Sequence, residues 1–167
     1  MALTFQLEPL APIIEEWKPL AQLHWEGTKS FRRHRPFNPD WNRYLSCNAE
    51  NFFLFFTARH EEKLVGYLGC YVTQSMHSQE WMATEDTFFL HPDYRGGRNA
   101  LRFLRYVIED LRQHGIVELL ASCEAENVSG IKRLLEFVGF TPSIVQYSLL
   151  LCPSPEPVTE DHAHVCA

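Results

Sequence analysis

No stretch of this 167-residue chain stays apolar for the roughly 20 residues that a membrane helix requires. Its opening, Met-Ala-Leu-Thr-Phe-Gln, lacks the charged-then-apolar order of a secretion signal. A soluble, cytoplasmic protein with no membrane partner is expected. The 5 cysteines (Cys47, Cys70, Cys123, Cys152, Cys166) include no C-x-x-C pair and are odd in number. That argues against a disulfide framework or a zinc ribbon. His77, His91, His114, His162 and His164 form no metal-ligand arrangement, and no metal is expected. An excess of positive charge is also lacking: the net charge of −6 disfavours a general nucleic-acid binder. The exception is a local patch at Lys29, Arg32, Arg33, His34 and Arg35. There is no internal repeat.

What is present suits one well-packed domain, with 46% hydrophobic and 13% aromatic residues. Residues 1–152 are expected to form that domain. Residues 153–167, rich in proline and polar side chains, are expected to be a disordered tail. Pro12 to His24 predicts a first helix, which Pro19 kinks or breaks. A polar, basic loop leads to a second helix capped near Asp40 and carrying Trp41, Tyr44 and Leu45. Phe52 to Phe56 and Leu64 to Val72, separated by the charged His60 to Lys63, predict a hairpin, and Trp81 to Leu90 a third antiparallel strand. After a long helix stopped by Gly115, Ile116 to Ser122 predicts a buried strand parallel to its predecessor. A further helix begins at Asn127 or Ser129 and ends at Gly139, and Ile144 to Leu151 supplies a last strand. The fold class is α/β with a mixed sheet.

The centre of this order is the stretch from Asp86 to His114. A strand ends at His91-Pro92-Asp93-Tyr94, and Arg95-Gly96-Gly97-Arg98-Asn99-Ala100 leads into a helix. In that helix Ala100, Leu101, Leu104, Val107, Ile108 and Leu111 recur at three- and four-residue spacing. A helix that starts after a glycine pair offers backbone N–H groups and the positive end of its dipole to an anion. Arg95 and Arg98 would add charge-assisted hydrogen bonds. The turn is a candidate pyrophosphate seat; the alternative is an ordinary strand-to-helix connection with two exposed arginines.

Arg95-Gly96-Gly97-Arg98-Asn99-Ala100 resembles the acetyl-coenzyme A turn of the GCN5-related N-acetyltransferase (GNAT) superfamily, whose pattern is Arg/Gln-x-x-Gly-x-Gly/Ala. Arg95 and Ala100 match its ends, and Arg98 stands where the middle glycine lies. Asn127 with the following helix, and Gly139-Phe140 at its end, resemble the superfamily's second coenzyme motif. His24-Trp25-Glu26 with Asn38-Pro39-Asp40-Trp41 and Tyr44 is similar to phage-type members, which would place the protein in a host cytoplasm. The resemblance runs from about Pro9 to Leu151. It implies antiparallel N-terminal strands and a parallel, splayed pair, flanked by about four helices.

The resemblance further implies acetyl-CoA as cosubstrate and direct acetyl transfer to a primary amine on an unknown acceptor. Phe88, Phe89 and Leu90 would pair with the pantetheine arm, and Arg95, Gly96, Gly97, Arg98, Asn99 and Ala100, with Asn127, would hold the coenzyme. Glu85 and Asp86 are the candidate bases, and strand alternation sends them to opposite faces. His91 ranks below them. Leu135 occupies the place of the tyrosine that often serves as general acid, leaving Tyr147, Tyr94, Ser129 or solvent. The acceptor pocket would hold Trp25, Arg32, Arg33, Trp41 and Tyr44, beside His24, Phe31, Arg35 and Phe37. The rival functions are a coenzyme-binding interaction module without turnover and a nucleic-acid-modifying enzyme of the same fold. A homodimer is the expected assembly if strands pair between copies.

Overall fold

The computed structural model describes residues 2–28, 36–123 and 128–144, excluding the side chains of residues 128 and 129. Its elements are β1 (Thr4–Leu7), α1 (Ile14–Gly27), α2 (Trp41–Ala49), β2 (Phe53–His60), β3 (Lys63–Gln74), β4 (Trp81–Leu90), α3 (Asn99–Gln113), β5 (Glu118–Leu120) and α4 (Val128–Val138). The five strands form one sheet in sequence order. β1 to β4 run antiparallel and β5 runs parallel to β4, the mixed α/β sheet expected from the sequence. Among the described residues no helix is long and apolar enough to cross a membrane.

Each helix has a local cause. Glu15 and Glu16 lie in the first turn of α1 and His24 in its last, matching the helix dipole. The helix begins at Ile14 rather than Pro12, and continues through Pro19 to Gly27. Burial of Trp17 and Ala21 on the sheet outweighs the one backbone bond that Pro19 forgoes. The Asp40 carboxylate caps α2 by accepting from the Arg43 N–H at 3.0 Å, as the sequence predicts. Gly115 and Gly139 end α3 and α4 at φ 76° and 105°. In each case the next residue donates back to the helix, Ile116 to the Leu111 carbonyl and Phe140 to that of Leu135.

The sheet has two differently filled faces. On one, Phe56, Leu68, Val72 and Ala83 pack against Phe103, Leu104, Val107 and Leu111 of α3. Fully burying each large α3 side chain contributes about 1.5–3 kcal/mol, more than any exposed ion pair of the helix. Phe103, absent from the predicted stripe, is completely buried between Phe5 and Phe88, at ring-centroid distances of 5.1 and 6.0 Å. On the other face Ile13, Trp17 and Ala21 cover Phe53, Phe55, Leu64, Tyr67 and Phe89.

Two strands depart from the sequence reading. β1 was not expected, since four residues carry little periodic signal. It forms because it pairs along β2 and lays Phe5 and Leu7 on the α3 side. β5 is shorter and more exposed than the buried strand expected over Ile116 to Ser122: Glu118 is exposed, Leu119 and Leu120 are half-buried, and Val117 is 60% exposed. Among the described residues its ladder joins only Met82, Ala83 and Thr84 of β4. The expected last strand and tail lie, beyond Ile144, outside the described residues.

The N-terminal elements are tied by Arg59. Its guanidinium donates to Glu8 at 2.8 to 3.2 Å, to Glu16 at 2.9 Å and to the Glu62 carbonyl at 2.6 Å. The last bond holds the β2–β3 turn, where Glu61 and Glu62 take φ of 48° and 67°, the left-handed pair that a two-residue hairpin turn needs.

Candidate active site

β4 carries one residue more than its partner strand. Gly69 pairs with Thr87 and Cys70 with Glu85, leaving Asp86 bulged out of the ladder. Without a bulge, adjacent side chains alternate between faces. Here Asp86 and Thr87 both turn to the α1–α2 face. Asp86 Oδ2 accepts from the Tyr44 hydroxyl at 2.9 Å, and Thr87 Oγ1 lies 3.2 Å from His24 Nδ1. Glu85 points the other way, as alternation predicts. Its Oε2 accepts from the Ser122 N–H at 3.2 Å and hydroxyl at 3.3 Å.

Asp86 and Thr87 stand in a cleft of about 620 Å³ between α1, α2 and the sheet, reached also by Trp17, Trp25, Phe37, Trp41, Tyr67 and Tyr71. Its rings brace one another: Trp17 meets Trp41 and Tyr44 edge-on at 5.1 and 5.0 Å, and His24 stacks on Phe89 at 4.8 Å. His24 Nδ1 is also 2.9 Å from the Tyr67 hydroxyl. The low-polarity surroundings raise the Asp86 carboxyl above its ordinary range, against the opposing Tyr44 hydrogen bond, although solvent reaches the carboxylate through the cleft. Burial, with the Asp86 charge second, raises the Tyr44 hydroxyl; burial alone leads for Tyr67. Both stay protonated as donors at neutral pH. Burial likewise raises Glu85, against its bonds from Ser122.

β4 and β5 part after Thr84 and Leu120. The Glu85–Ser122 contact spans them where the ladder stops. Beyond it one edge of β4 is left without a ladder partner among the described residues. The His91 N–H donates to Val65 of β3, so by alternation the backbone groups of Phe88 and Leu90 face away from β3, toward the opening. Leu90 has its carbonyl occupied by Arg95 Nε at 2.7 Å.

The turn after β4 is held by its own side chains. Arg95 folds back with its guanidinium over the Phe89 ring at 5.4 Å, and Asn99 Nδ2 donates to the Tyr94 carbonyl at 3.1 Å. Gly97 adopts φ 67°, and a Cβ at Gly96 or Gly97 would meet no atom within 4 Å, so the backbone is open to close approach. Arg98 is the N-cap of α3 without a side-chain cap bond. The first amides of that helix, from Asn99 and Ala100 on, have no intrahelical acceptor by geometry. A pyrophosphate fits this seat: backbone donors, a helix N-terminus and uncrowded glycines.

The structure thus brings Asp86, Tyr44, Trp41 and Trp25 together in the cleft, and sets Glu85, Phe88, Phe89, Leu90 and the Arg95 to Ala100 turn along the opening. Arg32, Arg33, Asn127 and Tyr147 lie outside the described residues, as does the Ser129 side chain. Leu135 is half-buried against the α3-side core. Tyr94 packs beside His60 and His91. Cys123 is exposed, and burial pushes the Cys70 thiol up to about 12. Among the described residues no group of three or more His, Cys, Asp or Glu could hold a metal. Tyr67, Tyr71, Thr87 and Ser122 were not singled out from the sequence. Each reaches the site through pairing between distant strands, for which the only local trace is the polar Glu85-Asp86-Thr87 run.

A family model described as the Acetyltransferase (GNAT) family matches residues 17–140. A comparison with curated proteins found no match. Among solved structures, ribosomal-protein-alanine N-acetyltransferase from Brucella melitensis biovar Abortus 2308 is 18% identical with a TM-score of 0.74, over 91% of this chain and 99% of that one. The aminoglycoside acetyltransferase meta-AAC0020 from an uncultured soil metagenomic sample, in complex with sisomicin, is 15% identical with a TM-score of 0.73, over 90% and 97%. AAC(6')-Iy in complex with the bisubstrate analog CoA-S-monomethyl-acetylneamine is 16% identical with a TM-score of 0.67, over 91% and 100%. At these identities the likeness is one of fold.

Proposed function

The chain belongs to the Acetyltransferase (GNAT) family, and from that premise we propose that it moves an acetyl group directly from acetyl-CoA to a primary amine bound in the aromatic cleft. The observation that carries this reading is the bulge at Asp86, which puts a carboxylate of raised pKa into the cleft beside the parted strands. The amine must lose a proton before it can attack, and a carboxyl above its ordinary range is the better base. Asp86 receives the ammonium and takes its proton, while the Tyr44 hydroxyl fixes the orientation of Oδ2. Glu85 is a positioning residue that joins the two strands through Ser122.

Acetyl-CoA supplies a thioester carbonyl as electrophile and a thiolate as leaving group. The Phe88 backbone offers the pantetheine arm one N–H and one carbonyl, and the Gly96-Gly97 turn with the start of α3 offers amides to the pyrophosphate. Arg98 adds charge there, whereas Arg95 braces the turn through the Leu90 carbonyl.

Calorimetric titration with acetyl-CoA tests this placement. The wild type binds, and Gly97→Asp, which sets a negative charge against the pyrophosphate, abolishes binding. Asp tolerates a left-handed φ better than most residues, and no atom crowds the position, so the variant keeps its fold. Unchanged affinity in a folded Gly97→Asp would overturn the phosphate placement.

A further inference from the structure

The cleft that receives the amine has an unusual balance of groups. Rings form most of its walls, and Asp86 is the carboxylate at its sheet side. The other acid at the lining, Asp40, caps α2, and Arg43 stands beside it as a cation. One ammonium can therefore be matched by Asp86 at the sheet side, while a second positive charge on the α2 side meets the opposed charges of Asp40 and Arg43, which largely offset each other. Hydroxyls on the ligand fare no better. Tyr44 is committed to Asp86, and Tyr67 and Thr87 share His24 Nδ1, so these groups are already engaged. A polyol could pair with Asn38 and the unpartnered Trp17 indole N–H, and its further hydroxyls would stand unsatisfied against aromatic walls, which is unfavourable. A flat apolar group instead stacks on those walls, and an ammonium beside it gains both ring-face and carboxylate attraction.

We propose that the acceptor is a monocationic primary amine whose ammonium is one to three bonds from an aromatic or other flat apolar group. The polycationic aminosugar and the extended peptide N-terminus are the competing classes. This inference rests on the proposed acetyl transfer, whose acceptor class it names. Selection comes from the Asp86 carboxylate and the ring walls, and Trp41 supplies part of the stacking surface.

The test uses the whole purified chain and its own fluorescence, since Trp17, Trp25 and Trp41 line the cleft, whereas Trp81 does not. 2-Phenylethylamine, ethylamine, 2-phenylethanol, neamine and an alanine-initiated hexapeptide are titrated separately. 2-Phenylethylamine should quench saturably and bind at least about tenfold tighter than each of the others: 2-phenylethanol lacks the charge-assisted hydrogen bond, which commonly carries about that factor, ethylamine lacks the ring that stacks on the walls, and neamine and the peptide set polar groups against them. Asp86→Asn should weaken 2-phenylethylamine by about tenfold or more and leave 2-phenylethanol unchanged. Trp41→Leu should weaken 2-phenylethylamine and leave ethylamine unchanged. Tighter binding of neamine or the peptide, or no effect of Asp86→Asn on 2-phenylethylamine, would overturn the proposal.

Thiol release from acetyl-CoA, followed in the same samples, separates this inference from the function beneath it. Acetylation of neamine or the peptide but not of 2-phenylethylamine overturns the acceptor class and leaves acetyl transfer standing. Selective binding of 2-phenylethylamine with no thiol release upholds the cleft's preference and overturns acetyl transfer.

Discussion

The two faces of the sheet share the same strands and differ in almost everything else. Under α3 the buried groups are hydrocarbon, with the Cys70 thiol held inert by burial. Under α1 and α2 the same strands present Tyr67, Thr87 and Asp86, joined to His24 and Tyr44 by hydrogen bonds. The first face does what a core does, excluding water at high density. The second gives up some of that stability to hold polar groups in fixed orientations. A strand can serve both because alternation separates the faces, and in β4 the bulge shifts which residues fall on which.

The comparison is broken most strongly from the α3 side. Phe103→Ala should cost about 3–5 kcal/mol in urea unfolding, as expected for a large ring removed from a tightly packed site. The molecules that remain folded should bind 2-phenylethylamine with unchanged affinity. A large loss of affinity would show that the faces are not independent.

On the cleft side the order of effects reverses. Tyr44→Phe removes a hydroxyl that donates to Asp86, and stability should fall by no more than about 1 kcal/mol. Turnover of an acceptor amine should drop by about tenfold, the worth of one charge-assisted hydrogen bond. The acid limb of the pH–rate profile should also move upward, because the lost bond had been lowering the Asp86 pKa. An unshifted limb would make Tyr44 a packing residue only.

The smallest effect is the most diagnostic. Asp86 has a folded pKa above its ordinary value, so the native state disfavours its ionised form. The stability linked to its proton is full below the unfolded pKa of about 3.9 and is lost as pH rises through the folded one. Asp86→Asn should therefore raise the unfolding free energy slightly at pH 8, by less than about 0.5 kcal/mol for a solvent-accessible group, with the gain vanishing near pH 3. A gain that persists at low pH would assign it to packing instead.

What could be read in the sequence follows the range over which each cause acts. Asp40, Gly115 and Gly139 end or begin helices through their own backbones and near neighbours, and they do so in the structure. The Gly96-Gly97 turn belongs to the same class. Glu85 and Asp86 stand out as adjacent acids on one strand, and their opposite orientation follows from alternation. The bulge that adds Thr87 to the Asp86 side depends on a residue count in β3, so neither strand alone reveals it. The His24–Tyr67 contact joins positions 43 apart in the chain and depends on how α1 crosses β3. Phe103 sat beside a good apolar stripe, and only the position of Phe5 on β1, a strand too short to announce itself, shows why it belongs inside.

The extra residue in β4 also shapes how this gene can change. Codons 86 and 87 specify cleft side chains, while codons 83 and 88 specify side chains packed on the α3 side. Point mutations at the first two can alter what the cleft accepts without disturbing the packing that keeps the second two in place. Loss of codon 86 alone would delete the carboxylate and restore simple alternation in a single event. Descendants of this chain can therefore change the lining of the cleft in steps that are short at the level of DNA.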